Sequence, residues 1–137
     1  MASELKVDKF TGVTTAGSID VTGEGNSTTT NLQQGLAKHW VKFGPSASAT
    51  ASFNNSSITD NGVGIFRIAR TNSFSSANYI TQVNGEWTQG TDSGLTIHSV
   101  TNNPAISSSE VTLVFYNSSF AQYDTDGMMA SMNGDLA

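Results

Sequence analysis

The chain contains no cysteine and two prolines, Pro45 and Pro104. Without thiols there is neither a disulfide framework nor a thiolate metal site, so folding does not depend on the redox poise of a compartment. Charge is scarce as well: 12% of the 137 residues are charged, six basic against eleven acidic, for a formal net charge of −5. Six scattered Lys and Arg cannot follow a phosphate backbone, which needs them clustered, so nucleic acid is not an expected partner. No segment approaches the ~18 apolar residues of a membrane span, and Met1 to Lys6 lacks the apolar stretch of a secretory leader, so neither membrane insertion nor secretion is expected. Apolar residues make up 36% of the chain, below the roughly 45–50% usual for globular proteins. One domain of this length, or a small domain with an arm, would therefore bury a thin core. Disordered chains combine few apolar residues with much charge; here charge is low and the β-branched and aromatic residues are clustered in runs. The composition predicts a β-protein that gains stability by oligomerising.

What is present is mostly small and polar: about a quarter of the residues are Ser or Thr. Residues 1–31 hold short strand-like pieces, Leu5 to Phe10 and Ser18 to Thr22, separated by Gly12, Gly17, Gly23 and Gly25. They carry too few large side chains for a core of their own. An extended N-terminal docking arm, paired with a partner, would satisfy its backbone groups; Leu5, Val7, Phe10, Ile19 and Val21 are its candidate contacts. Residues 32–123 turn to alternating or short apolar runs, at His39–Phe43, Ala49–Phe53, Gly64–Arg70, Asn78–Val83, Glu86–Gln89, Leu95–Val100 and Val111–Tyr116. Asp60-Asn61-Gly62 and Asn84-Gly85 supply hairpin turns. About seven short strands at even spacing predict an all-β fold, an antiparallel, jelly-roll-like β-sandwich. Phe66 and Ile68, with Val111, Leu113 and Phe115, are expected to face its core, and Trp40 to anchor it, whereas Trp87 falls at a rim or interface. Residues 124–137 depart from the strand pattern and hold three of the four methionines. Met packs adaptably, so Met128, Met129 and Met132 are candidates for a contact tail, a short terminal helix or a frayed end being the alternative.

Chemistry is thinly supplied. His39 and His98 are the only histidines, and each alternates within a strand, as half-exposed sheet residues do. Asp60, Asp92, Asp124 and Asp126 sit in Gly-containing turns, where Asp caps its own backbone. Asp124-Thr125-Asp126-Gly127 resembles part of a calcium loop but lacks the downstream glutamate. Asn26, Asn55 and Asn117 begin glycosylation-type triplets, which are frequent by chance in so Ser-rich a chain. No catalytic residue, metal site or cofactor is expected. Tyr79, Trp87, Tyr116 and Tyr123, flanked by Asn and Asp, are the candidate contacts for a glycan, since a sugar is held by a stacked ring and directional amides.

The stretch from Gly35 to Gly64 reads GLAKHWVKFGPSASATASFNNSSITDNGVG. Its pattern GLAK-x-W-V-x-F followed by SFN-x-SSITDNG-x-G resembles the compact β-rich module that recurs in structural proteins of marine tailed bacteriophages, often at the C-terminal end of fibre or appendage proteins. Ser18 to Gly25 is similar to the lead-in of such proteins, Ser3 to Lys9 to a recurrent N-terminus of phage virion proteins, and Ser76 to Tyr79 to a loop of the module. The resemblance covers about two thirds of the chain. It implies a non-enzymatic virion protein, assembled in the host cytoplasm, with capsid or tail proteins as partners; the expectation of a homotrimer comes from the thin core. A head decoration or knob, or a short fibre subunit, fits the length, although the module usually follows a longer N-terminal region. A receptor-recognition tip that binds a host surface glycan is the alternative. An enzyme acting on polysaccharide would need converging carboxylates, and no such pair stands out.

Overall fold

The structure, a computed structural model, describes residues 4–12, 19–22, 29–86, 97–101 and 106–134. The chain divides into two units, Met1–Leu36 and Ala37–Ala137. In the first, β1 (Asp20–Thr22) pairs antiparallel with β2 (Thr29–Asn31), followed by a single helical turn, α1 (Leu32–Gly35). The Leu32 N–H closes this unit by donating to the Ile19 carbonyl at 2.8 Å. Leu5, Val7, Phe10 and Val21 are all exposed, and Ile19 is half-buried.

The second unit is an antiparallel β-sandwich. Its strands are β3 (His39–Phe43), β4 (Ala49–Phe53), β5 (Asn55–Asp60), β6 (Ile65–Arg70), β7 (Ile80–Glu86), β8 (Ile97–Thr101), β9 (Glu110–Tyr116) and β10 (Gly127–Asn133). One sheet has the order β4-β3-β10-β7 and the other β5-β6-β9-β8. Period-2 alternation sends Val41 and Phe43, Phe66 and Ile68, Val111, Leu113 and Phe115, and Met128, Ala130 and Met132 into a shared core. Phe43, Phe66 and Phe115 meet edge to face at centroid distances of 5.3, 6.4 and 6.3 Å and so link the two sheets. Each such buried side chain contributes about 1.5–3 kcal/mol.

Two local devices fix the path. The chain leaves one sheet for the other through a single residue, Asn54, at φ +58°. This left-handed conformation is open to Asn because its short side chain bonds nearby backbone. Its Nδ2 donates to the carbonyls of Lys38 and Asn72, both at 3.0 Å, while its Oδ1 accepts from the Asn72 N–H at 2.7 Å. The β5–β6 hairpin turns at Asp60-Asn61-Gly62, with the Asp60 Oδ1 accepting from the Gly62 N–H at 2.8 Å. At Gly64, φ +70°, a Cβ would stand 2.6 Å from the Phe115 carbonyl oxygen, so only glycine lets β9 approach.

Four expectations are corrected. Trp40 points outward, 42% exposed, because it shares strand parity with Lys42, while Val41 and Phe43 take the core positions of β3. His39 shares the inward parity and is completely buried rather than half-exposed. The segment after Tyr123 is no contact tail: β10 lies between β3 and β7, and Met128 and Met132 are fully buried, leaving Met129 on the outer face. Asn84-Gly85 makes no turn, since both residues pair with β10 opposite Met129 and Met128, and β7 runs on to Glu86. There the glycine leaves the inner face free for the buried Met128 side chain.

Candidate functional site

The outer face of the β4-β3-β10-β7 sheet is the site with the most defined geometry. Strand register lays it out in rungs. One runs Phe53, Trp40, Ser131, Gln82, and the next Ala51, Lys42, Met129, Asn84. Ser131 is short and stands between two long side chains, Trp40 and Gln82. The difference in length hollows a trough of about 500 Å³, floored by β10 and walled by β3 and β7. Neighbouring strands lie about 4.8 Å apart, so the walls are about 10 Å apart.

Charge on this face is closed upon itself. The Lys42 Nζ donates to the Glu86 Oε1 at 2.7 Å, reaching from β3 to β7 across β10. Gly127 makes the crossing possible, since a Cβ there would collide with the Glu86 carboxylate. Both partners are partly exposed, so the pair adds at most about 1 kcal/mol to stability, and its consequence is a face without net charge. Asn84 is oriented by its own neighbour, its Oδ1 accepting from the Gly85 N–H at 3.0 Å. The Gln82 amide and the Ser131 hydroxyl have no partner among the described residues.

A second polar cluster closes one end of the core. Arg70, at the inward end of β6, is buried, and its guanidinium carbon lies 4.5 Å from the Phe74 ring centroid and 4.4 Å from that of Tyr79. It donates to the Ser108 carbonyl at 3.1 Å and to the Met132 sulfur at 2.9 Å, and no carboxylate faces it among the described residues. Ring faces and carbonyl dipoles hold the cation in place of a counter-ion. His39 lies beside it, its Nε2 3.4 Å from the Asn55 Oδ1 and its Nδ1 unpartnered among the described residues. Burial, opposed by the Asn55 hydrogen bond and reinforced by the Arg70 charge, lowers the imidazole pKa to about 4. A fully buried, neutral imidazole cannot reach a substrate, so this cluster plugs the core rather than performs chemistry.

Of the predicted glycan contacts, Tyr79 lies apart from Tyr116 and Tyr123. The Tyr79 hydroxyl donates to the Glu110 carbonyl at 3.3 Å and its ring lies under Arg70. Tyr116 ends the same strand that Glu110 begins, about 20 Å away at strand rise. Tyr116 and Tyr123 flank the loop at 117–122, where the Tyr123 N–H donates to the Phe115 carbonyl at 3.1 Å. Trp87 lies outside the described residues, as do the side chain of His98 and all of Asp92. Asp124 caps a distant turn, accepting from the Gly64 N–H at 2.6 Å, and the Thr125 hydroxyl donates to the Gly127 and Glu86 carbonyls; the two residues lead into β10. No group of three or more His, Asp or Glu among the described residues could hold a metal ion. None of their helices is long and apolar enough to cross a membrane.

Strand parity alone could have found the outer face. Trp40 alternates with Val41 and shares its side of β3 with a lysine, and Met129-Ser131 alternates with Met128-Ala130-Met132. Arg70 had no such signal, because a basic residue at an inward position is read as the end of a strand. No protein family, curated protein or solved structure matches the chain.

Proposed function

We propose that the protein is a non-enzymatic structural component of a tailed-bacteriophage virion, with its N-terminal unit docking on capsid or tail proteins and its β-sandwich head displayed as a decoration, knob or short fibre subunit. The observation that carries this reading is the unequal fate of apolar side chains in the two units. The head holds all the buried apolar side chains among the described residues, although Phe53, Ile80 and Phe120 remain exposed on it, whereas the N-terminal unit buries none of its described apolar side chains and leaves Leu5 73% and Phe10 61% exposed, with Val7 and Val21 exposed as well. Apolar side chains gathered on so small a unit are what a partner surface covers. The likeness of residues 35–64 to the appendage module supplies the virion context, and a thin-cored head without disulfides gives the physical reason to assemble as a homotrimer.

Light scattering on the full chain and on a chain lacking residues 2–30 tests the reading. The expected result is a trimer in both cases, with the head trimerising by itself and the arm left for docking. A full chain that stays monomeric at high micromolar concentration would remove the assembly argument.

A further inference from the structure

We propose that the outer trough of the β4-β3-β10-β7 sheet is a binding site for a neutral saccharide, with Trp40 as its stacking platform. This goes beyond the structural role and stands apart from it, since a head can be displayed with or without a ligand. Three properties of the trough carry it. Its volume of about 500 Å³ lies within the roughly 300–1,000 Å³ of ligand pockets, which combine apolar walls with a few placed polar groups. Its chemistry is divided as a pyranose is divided. The half-exposed Trp40 indole and the Met129 side chain offer apolar surface to the C–H face of a ring, while Gln82, Asn84 and Ser131 offer donors and acceptors to its hydroxyls. Asn84 already has its oxygen engaged by the Gly85 N–H, which leaves its NH₂ facing outward as a donor.

Charge decides the kind of sugar. The ionic groups at the trough, Lys42 and Glu86, neutralise each other at 2.7 Å. An anionic saccharide would have to break that pair or meet the carboxylate, and a neutral one need do neither. The same pattern disfavours a second copy of the chain as occupant. Each rung mixes apolar with polar or charged residues, Phe53 and Trp40 with Ser131 and Gln82, Ala51 and Met129 with Lys42 and Asn84, so that the trough itself, between Trp40 and Gln82, is floored by a polar residue where a buried protein interface would place apolar groups together at its centre. A peptide adding as a strand would take the edges, β4 or β7, and leave the face open.

The test is a titration of the full chain with neutral gluco-, galacto- and manno-trisaccharides, with a uronate trisaccharide as the charged counterpart, followed by the indole and the backbone amide N–H resonances in NMR spectra, the latter reporting on the variants that lack the Trp40 indole. Expected is a saturable shift of the Trp40 indole with at least one neutral sugar and none with the uronate. Trp40→Ala should weaken binding about tenfold or more, the loss of one stacked ring. Trp40→Phe should retain most of it, and Ser131→Leu, which fills the floor with Trp40 in place, should abolish it. Both sites are on the outer face, and an unchanged thermal midpoint verifies the fold. Absence of any shift at tens of millimolar sugar overturns the proposal, as does binding that survives both Trp40→Ala and Ser131→Leu. A loss of oligomeric mass in Trp40→Ala without an effect of sugar overturns it too, and assigns the face to contact between copies.

Discussion

His39 makes the stability of the head depend on pH in a window that the structure defines. The imidazole is fully buried, and its neighbours are the Asn55 amide from β5, the Arg70 guanidinium from β6 and Met132 from β10, none of them an anion. Protonation would place a second cation beside Arg70 in a dry site, and the folded-state pKa accordingly falls from 6.5 to about 4. In the unfolded chain the ring takes up its proton near 6.5, so between the two values the unfolded state binds more protons than the folded state. Stability is then complete above about pH 6.5, declines as pH falls, and levels off below about pH 4. The difference of about 2.5 units corresponds to about 3 kcal/mol, a large share of what a small domain has. The assay is urea unfolding from pH 4 to pH 8 for the wild type and for His39→Gln. Every other ionisable group is common to both proteins, so the difference between the two profiles isolates His39. The wild type should lose about 3 kcal/mol more than the variant on going from pH 7 to pH 4. Parallel profiles, or an NMR titration of the His39 ring with a midpoint near 6.5, would refute the reasoning.

Two further outcomes follow from the fold. Asn54→Gly keeps the φ of +58° but loses three hydrogen bonds, at a cost of about 2 kcal/mol, while Asn54→Ala adds about 1 kcal/mol for the left-handed backbone. Urea midpoints should therefore fall in the order wild type, Gly, Ala, and an alanine variant as stable as the glycine one would contradict the corner's role. Met128→Ala, which empties a fully buried position of β10, should cost about 2–5 kcal/mol. Met129→Ala, one residue on but on the outer face, should cost less than about 1 kcal/mol in the same thermal or urea measurement, and equal losses would mean that the tail does not insert as a strand.

The fold was legible wherever large side chains alternate. Phe66 and Ile68 in β6, and Val111, Leu113 and Phe115 in β9, are at period-2 spacing and lie in the core. The limits of β3 and β4 coincide with the apolar runs 39–43 and 49–53. Legibility failed where residue type and position disagree. Methionine suggests an adaptable surface, yet at 128 and 132 it fills the centre of a sheet, because the alternation of Gly127 to Asn133 outweighs the character of one side chain. Asn-Gly suggests a hairpin, yet at 84–85 both residues are held in the ladder with β10, opposite Met129 and Met128. Tryptophan suggests a core, yet Trp40 shares its side of the strand with a lysine. Strand parity shows which residues of β3 and β10 face outward, but not that 40, 82 and 131, far apart in sequence, meet in one rung, since they are joined only by register across β10.

Those rungs also show how the module-like string divides its labour. In Gly35 to Gly64, Val41 and Phe43 supply core, Asn54 the corner between sheets, and Asp60, Gly62 and Gly64 the hairpin with its close approach to β9. Substitution at any of these is penalised by packing, by left-handed backbone or by lost hydrogen bonds, whatever the protein does. Trp40 is different: it satisfies none of these demands, and its outward position leaves a large apolar ring half in water. Thr would suit an exposed strand face as well as Trp, and the fold asks for an aromatic at 40 only through its cross-strand position opposite Phe53. That pair position accounts for an aromatic at 40 but not for the part of the indole left in water, which contact with something outside the chain would cover.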